Sequence, residues 1–177
     1  MSAVSAPAVA GTPTADPWAV AASVTDPELP MLTLADLGVL RDVTVEPSGA
    51  VRVVLTPTYC GCPALAVMRE DVVRRLRSAG FADVTVGVAL APAWSSDWIS
   101  ERGRAALRDH GISPPGPSGS GGPATVPLTL IPTRRAVRCP RCDSTEATLT
   151  SEFGATACTA MYRCRSCLEP FDHVKEH

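Results

Sequence analysis

The segment VRVVLTPTYCGCPALAVMREDVVRRLRSAGFADVTVGV, residues 51–88, decides the fold. Its first five residues, Val51–Leu55, are a β-branched run that predicts a strand. A helix is predicted over Ala64–Ala79, because Leu, Met and Val recur there every three or four residues and form one apolar stripe. Alternating apolar positions from Val84 to Leu90 predict a third strand after the helix.

A β-hairpin is predicted on the amino-terminal side of this segment. Val39–Glu46 alternates apolar and polar residues, which is typical of a half-buried strand. Pro47-Ser48-Gly49 has the composition of a turn, so the two flanking strands should pair. Further upstream, Asp16-Pro17 is a helix-start signal for a short helix over Trp18–Ser23.

The carboxyl-terminal side of the segment completes an α+β domain over residues 16–113. A last helix should be capped by Ser96 or Asp97 and should end at Gly111. The sequence therefore predicts a small three-stranded sheet covered by helices. Residues 1–15 are small and Pro-rich with no positive charge, which favours a disordered leader over a signal peptide. Residues 114–136 are rich in Pro and Gly and are interpreted as a linker, with a short extended stretch over Val126–Arg135.

Composition argues against several classes of function. A net charge of −2 over 177 residues is far from the basic balance of a nucleic-acid-binding domain, so we expect no nucleic-acid partner. No apolar run approaches the roughly 20 residues of a membrane span, so we expect no membrane partner either. Acid–base groups are scarce, since His110 is the only histidine before the Cys-rich tail, which argues against an independent enzyme.

Four cysteines near the carboxyl terminus carry the strongest chemical signal. They form two C-x2-C pairs separated by 21 residues, Cys139 with Cys142 and Cys164 with Cys167. Such pairs turn tightly and converge four thiolates on one ion, which suits structural zinc in a β zinc ribbon over residues 137–177. A rubredoxin-like iron site is the alternative. The pattern is typical of a reducing compartment, so we expect a cytoplasmic protein.

The same tail holds two further candidates. Cys158 lies six residues before Cys164. It is either a small buried hydrophobe beside the ribbon or an extra thiol that can hand over or receive a metal. His173 has the chemistry to replace one thiolate, but a solvated side chain is expected so near the chain end.

Another cysteine lies at the entrance to the long helix. Cys62 precedes Pro63 and should be at or near the N-cap, where the helix dipole favours an anion, so its thiolate should form readily. Such a thiol can be a nucleophile, a redox thiol or a transient metal ligand, but a structural cysteine filling a small gap is equally consistent. Cys60, two residues away, is either a partner in a C-x-C pair or coincidental.

An acidic group precedes the sheet, formed by Asp26, Glu28 and Asp36. Loop carboxylates and helix caps explain most such groups. The alternative is that these side chains form a site beside Cys62.

Short motifs in the first domain carry a family resemblance. They are Asp26-Pro27-Glu28, Asp36-Leu37-Gly38, and Thr56–Thr58 leading into Gly61-Cys62-Pro63. In this order they resemble the SufT-like domain of iron–sulfur cluster assembly factors, which would span residues 16–113.

Later motifs narrow the resemblance. They are Pro92-Ala93-Trp94, Asp97–Ser100, Gly111–Pro115, Cys139–Cys142, Ser151–Gly154, Cys158–Ala160 and Cys164–Phe171. Together with the appended ribbon, they resemble the D-subunit family of phenylacetyl-CoA epoxidase, the ring 1,2-phenylacetyl-CoA monooxygenase.

That resemblance implies a role in aerobic phenylacetate catabolism without independent catalysis. It implies a maturation factor that brings iron or an iron–sulfur cluster to the epoxidase components, above all to the iron–sulfur reductase subunit. Cys62 would be the transient ligand, with Asp26, Glu28 and Asp36 lining the same surface. Two alternatives stay open, a stable non-catalytic accessory subunit and a thiol-based reductase that uses Cys60 and Cys62. Whether the chain forms a homodimer also stays open.

Overall fold

The structure, a computed structural model, describes residues 15–116 and 137–176. The predicted leader at 1–15, the linker at 114–136 and the extended stretch Val126–Arg135 lie wholly or almost wholly outside these residues.

The first sheet is built around a strand–helix–strand unit. Its strands are β1, Leu40–Val45, β2, Val51–Leu55, and β3, Val84–Val88, in the order β1-β2-β3. β1 and β2 are antiparallel, as the predicted hairpin requires. β2 and β3 are parallel, so the chain crosses between them through helix α2, Leu65–Ser78.

Helix α2 covers the sheet with the predicted apolar stripe. Met68, Val72 and Leu76 are all buried in the core, which also receives the side chains of β2. A shorter helix, α1, spans Pro17–Ala22, and the Asp16 side chain caps it by accepting a hydrogen bond from the Trp18 amide. None of the helices in the described ranges has the length and apolarity to cross a membrane.

The predicted cap of the last helix was wrong. Ser96–Trp98 forms a separate 3₁₀ turn, and helix α3 spans Glu101–Asp109. The N-cap of α3 is Ser100, whose hydroxyl accepts a hydrogen bond from the Gly103 amide. The reason is that Ile99 is extended and buried, which breaks the helical path between the turn and α3.

The carboxyl-terminal residues form a second, four-stranded sheet. Its strands are β4, Ile112–Ser113, β5, Ala147–Ser151, β6, Thr159–Cys164, and β7, Pro170–Val174, in the order β4-β7-β6-β5. β5, β6 and β7 are antiparallel neighbours and form the ribbon. β4 directly follows α3 and pairs in parallel with β7, so the first domain supplies an edge strand of the ribbon sheet.

The ribbon also shares the core of the first domain. The larger hydrophobic cluster contains residues of both sheets and includes Cys158 and Val174 from the ribbon. A smaller cluster holds Cys139, Cys164 and Phe171. The ribbon therefore packs on the first domain through Cys158 and Val174, while its metal-binding end has a separate small core.

Candidate metal sites

The four ribbon cysteines converge as their spacing predicts. Their Sγ atoms all lie within 4.8 Å of one another. The Sγ–Sγ distance is 3.7 Å between Cys139 and Cys167 and 3.6 Å between Cys142 and Cys164. A tetrahedral ion with metal–sulfur bonds of about 2.3 Å separates its sulfurs by about 3.8 Å. The four thiols therefore fit a tetrahedral metal site, and each C-x2-C pair contributes two corners.

Backbone amides stabilise the thiolate form of one of these cysteines. The Sγ of Cys164 accepts the amide hydrogens of Ser166 at 3.4 Å and Cys167 at 3.5 Å. These bonds, above all the one from Cys167, lower the pKa of the Cys164 thiol to about 6. A thiolate is the form that binds metal, so this geometry favours ligation.

His173 is not the solvated side chain that its position near the chain end predicts. It is buried in β7, and its Nδ1 lies 3.1 Å from the Ser113 carbonyl oxygen and 3.2 Å from the Ser113 hydroxyl. The Tyr162 ring contacts it edge to face. His173 does not belong to the cluster of four metal-binding groups and instead joins the ribbon to β4.

Cys62 lies just before α2, in the loop that follows β2. The N-cap of α2 is Ala64, and the Leu65 amide donates a 3.3 Å hydrogen bond to the Cys62 carbonyl oxygen. The side chain is partly buried against the main core, whereas the neighbouring Cys60 is exposed. The structure thus places Cys62 at the helix entrance as predicted, with α2 starting three residues later.

The predicted ready ionisation of Cys62 was wrong. Burial raises the pKa of its thiol, and the negative charges of Glu28 and Asp26 raise it further. The nearby Ala64 and Leu65 amides lower the pKa and do not outweigh these effects. The local signal of a helix entrance is therefore overridden by neighbours that are distant in sequence.

Asp26 and Glu28 lie near enough to this thiol for their negative charges to raise its pKa. Asp26 is only 3% exposed, and its Oδ1 accepts the amide hydrogens of Glu28 at 2.8 Å and Leu29 at 2.7 Å. Burial raises the pKa of Asp26 despite these bonds. Glu28 is partly exposed, and its pKa is raised by burial and by the charge of Asp26. Two carboxylates and a thiol thus share one semi-buried region.

Asp36 belongs to a different network. Its carboxylate accepts hydrogen bonds of 2.7 Å from the hydroxyls of Thr33 and Ser100 and forms an ion pair with Arg102. The carboxylates that act on the Cys62 thiol are Glu28 and Asp26, and Asp36 is not among them. Its side chain joins the loop before β1 to the start of α3, which explains its burial without a ligand.

Sequence reasoning missed the surroundings of Cys62. The pKa of the Tyr59 phenol is raised by desolvation and then by the charges of Cys62, Glu28 and Cys158. Cys158 therefore acts on the same tyrosine as Cys62 although it comes from the ribbon. The proximity of Tyr59 to Cys62 could have been predicted, because the two residues lie in the same loop. The position of Cys158 could not, because it depends on tertiary packing.

Two family models match separate parts of the chain. One, described as an iron–sulfur cluster assembly protein, matches residues 18–88. The other, described as the PaaD zinc beta ribbon domain, matches residues 123–175. The first match contains Cys62 with its acidic neighbours, and the second contains the four converging cysteines and Cys158.

One relative and one solved structure match about half of the chain. The chain is 36% identical, over 45% of its own length and 75% of the relative's, to an "Fe-S protein maturation auxiliary factor" of Porphyromonas gingivalis. A crystal structure of a domain of unknown function, DUF59, from Bacillus anthracis has a TM-score of 0.48 and 29% identity, and covers 51% of this chain and 87% of that one.

Another relative matches along nearly its whole length. It is an Escherichia coli protein named as the D component of a "Putative 1,2-phenylacetyl-CoA epoxidase". The two are 46% identical over 158 residues, which cover 89% of this chain and 90% of that protein. The match is long enough to include both the assembly-type domain and the ribbon. This chain belongs to the D-subunit family of 1,2-phenylacetyl-CoA epoxidase.

Proposed function

We propose that this protein is a maturation factor for phenylacetyl-CoA epoxidase in aerobic phenylacetate catabolism. Its cargo is iron or an iron–sulfur cluster, and its client is the iron–sulfur reductase subunit. The family membership supports the pathway, because the Escherichia coli relative bears the name of an epoxidase subunit. The assembly-type domain supports the activity, because relatives of that domain bear the name of Fe-S maturation factors.

The environment of Cys62 is the observation that carries the proposal. The thiol is partly buried, and burial together with the charges of Glu28 and Asp26 raises its pKa. Such a thiol is protonated at rest and ionises only when a cation binds, so the bound metal competes with a proton. That competition weakens the grip on the metal, and a carrier needs such weak binding in order to release its cargo.

The same environment argues against independent catalysis. A thiol nucleophile is activated by a lowered pKa or by an adjacent base. The pKa of Cys62 is instead raised, and the two described histidines bond to backbone carbonyls, His110 to Ala106 and His173 to Ser113. We therefore propose a non-enzymatic helper that acts in the cytoplasm, a reducing compartment that keeps cysteines available for metal binding.

The ribbon metal is proposed to be structural zinc. Four thiolates complete a tetrahedral shell and leave no position for a substrate, so this ion would hold the ribbon together without taking part in delivery. Iron is the rival occupant of such a site. Metal analysis of the purified protein distinguishes the two ions directly.

One observation favours a second candidate function. The Escherichia coli relative is named as a subunit of a putative epoxidase. Such a name fits a non-catalytic accessory protein that is bound stably in the complex. Co-purification at fixed stoichiometry with the epoxidase components would support this alternative. A substoichiometric and transient contact with the reductase would support maturation.

The test compares the wild type with Cys62→Ala after anaerobic purification, with Cys60→Ala as the matched control two residues away. We expect about one zinc in each protein, because the ribbon is unchanged. Labile iron should be present in the wild type and the control and absent from Cys62→Ala. The reductase produced with Cys62→Ala should lack its cluster. Equal iron in all three proteins would refute the role of Cys62, and full reductase loading would refute maturation.

A further inference from the structure

One edge of the first sheet is open at strand β3. In the order β1-β2-β3, this strand pairs with β2 on one side, and among residues 15–116 and 137–176 no strand pairs with its other side. Such an edge presents unpaired amides and carbonyls to any extended chain, and proteins often protect it with proline or charged residues. The β3 sequence, VTVGV, contains neither. Its edge is therefore free to accept another strand.

Hydrogen bonds at the two ends of β3 show which of its backbone groups point outwards. The Val51 amide donates to the Asp83 carbonyl oxygen at 2.8 Å, and the Ala89 amide donates to the Leu55 carbonyl oxygen at 2.9 Å. Bonding direction alternates along a strand, so the odd-numbered positions of this stretch face β2. The backbone groups that point to the open side are those of Val84, Val86 and Val88.

A groove of about 830 Å³ lies along this open side, between β3 and helix α2. The sheet lines it with Val84 and Val86, and the helix lines it with Arg69, Val73 and Arg77. The three helix residues are spaced by four positions, so they form one row on α2. Arg69 and Arg77 are exposed and Val73 is half-buried. The row thus has an apolar centre with a guanidinium group at each end.

The two guanidinium groups of this row have no acidic partner in the described part of the chain. A third arginine of the groove, Arg74, pairs with Asp71. The other ion pairs of the described residues involve neither Arg69 nor Arg77. The groove therefore favours an acidic occupant. It disfavours a second copy of this chain, because pairing of two β3 edges would bring two sets of arginines together.

We propose that the open edge of β3 and the arginine row of α2 bind an extended acidic segment of a partner protein. The segment would add to the sheet as a fourth strand, with its main chain hydrogen-bonded to Val84 and Val86. Its side chains on the α2 side would meet Arg69, Val73 and Arg77. Main-chain pairing would supply much of the affinity, and the arginine row would select the sequence.

The spacing of the row predicts the sequence pattern of the segment. Helix α2 returns the chain from the end of β2 to the start of the parallel strand β3, so its axis runs back along the strands. Arg69 and Arg77 are two helical repeats of four residues apart, which is about 12 Å along the axis. Two residues of an extended chain that are separated by four positions lie about 13 Å apart and on the same face. The expected pattern is therefore acidic-x-apolar-x-acidic, with the apolar side chain over Val73.

Two synthetic peptides of equal composition and charge test this pattern. In Thr-Glu-Thr-Val-Thr-Glu-Thr the valine and both glutamates lie on one face of the extended chain. In Thr-Glu-Thr-Val-Glu-Thr-Thr the two glutamates lie on opposite faces. Fluorescence anisotropy with the full-length protein at low salt should show that the first peptide binds about fivefold or more tightly than the second. Added salt should weaken the binding of the first peptide.

Matched variants test the arginine row. The double variant Arg69→Gln with Arg77→Gln should bind the first peptide about tenfold more weakly. Arg75→Gln is the control, since Arg75 is exposed on the same helix but does not line the groove. Circular dichroism checks that the double variant is folded, which is expected because both side chains are exposed.

Amide hydrogen exchange, followed by NMR, tests the added strand. The amides of Val84 and Val86 should exchange more slowly when the first peptide is bound. The amides of Thr85 and Gly87 should change little, because they already bond to β2 in the free protein. A bound peptide that left Val84 and Val86 exchanging at their free rate would overturn the added strand.

Other results would also overturn the proposal. No measurable binding of the first peptide, equal binding of the two peptides, or undiminished binding to the double variant would each exclude recognition by the arginine row. Protection of the Val84 and Val86 amides without peptide would show that the edge is already covered. Sedimentation would then assign the cover to a second copy if the protein is dimeric, and to the same chain if it is monomeric.

Discussion

The hydroxyl of Ser100 donates a 2.7 Å hydrogen bond to the carboxylate of Asp36, 64 residues earlier in the chain. The same hydroxyl accepts the amide hydrogen of Gly103 and caps α3. The Ser100 amide also donates to the Asp36 backbone carbonyl at 2.8 Å. One residue thus links the loop before β1 to the start of α3, and α3 leads directly into β4 and the ribbon.

Replacing Asp36 with Asn should destabilise the protein by about 2 kcal/mol, because hydrogen bonds to a buried charge are lost and Arg102 loses its partner. Chemical denaturation at pH 7 measures the effect. Asp42→Asn is the matched control, since that carboxylate is exposed and bonds to Thr44. Equal stability of the two variants would show that the network around Asp36 contributes nothing.

The contribution of Asp36 should also depend on pH. Burial alone would raise its pKa, but the hydrogen bonds from Thr33 and Ser100 and the charge of Arg102 lower it below its ordinary value of 3.8. The ionised form is therefore favoured by folding, so its stabilisation is present above the unfolded pKa and is lost as pH falls through the folded one. The difference between wild type and Asp36→Asn should accordingly shrink below pH 4.

The parts of the fold that were predicted well have local causes. The apolar stripe of the long helix is a periodic pattern within one segment, and its predicted span, Ala64–Ala79, exceeds the observed Leu65–Ser78 by one residue at each end. The four ribbon cysteines converge because C-x2-C spacing is itself a geometric constraint. Neither inference needs knowledge of a distant neighbour.

The parts that were missed depend on residues distant in sequence. The pairing of β4 with β7 joins residues about 60 positions apart, with only two residues in β4 to signal a strand. The ionisation of Cys62 follows from burial and from Glu28 and Asp26, which no pattern around the helix entrance encodes. Likewise α3 is capped by Ser100, whose amide and hydroxyl both bond to Asp36, 64 residues earlier in the chain.

Gly38 should tolerate no side chain. Its φ is +72°, and a Cβ there would lie 2.5 Å from the Trp98 Cβ and 2.8 Å from the Trp98 carbonyl oxygen. Gly38→Ala should therefore cost roughly 3 kcal/mol, combining left-handed backbone strain with a steric clash. Thermal denaturation measures the loss.

Gly49→Ala is the control for Gly38. Its φ is +86°, but nothing lies within 4 Å of the added Cβ. Only the backbone strain of about 1 kcal/mol is expected there. If the two alanine variants had the same melting temperature, close packing of Trp98 against Gly38 would be irrelevant to stability.

His173 should make the protein less stable as pH falls below about 6.5. Burial lowers the pKa of this imidazole below its ordinary value of 6.5, although the Ser113 carbonyl and the charge of Glu176 oppose the shift. The unfolded chain then takes up the proton first, so stability is present above pH 6.5 and declines below it, by at most about 1.4 kcal/mol per pH unit.

A comparison of His173→Asn with the wild type between pH 5 and 7.5 tests the effect. The variant should show the shallower pH dependence, because it keeps an amide near Ser113 but cannot titrate. His110→Asn is the control, since His110 is exposed. Metal retention has to be followed in every sample, because thiolate ligands also bind protons in acid. Parallel profiles of stability against pH for wild type and His173→Asn would show that the His173 imidazole does not cause the loss of stability in acid.

Removing the ribbon metal should expose Cys158. A segment of about 40 residues has too small a core to hold its fold without a staple, and the loop carrying Cys158 is held by the ribbon strand that ends at Val174 and by Lys175. After treatment with a strong chelator, this thiol, now 7% exposed, should react with iodoacetamide many times faster. Cys60 is the internal control, because it is exposed and lies outside the ribbon. Mass spectrometry of the labelled peptides compares the two rates. Continued protection of Cys158 in metal-free protein would mean that packing on the first domain suffices to keep it buried.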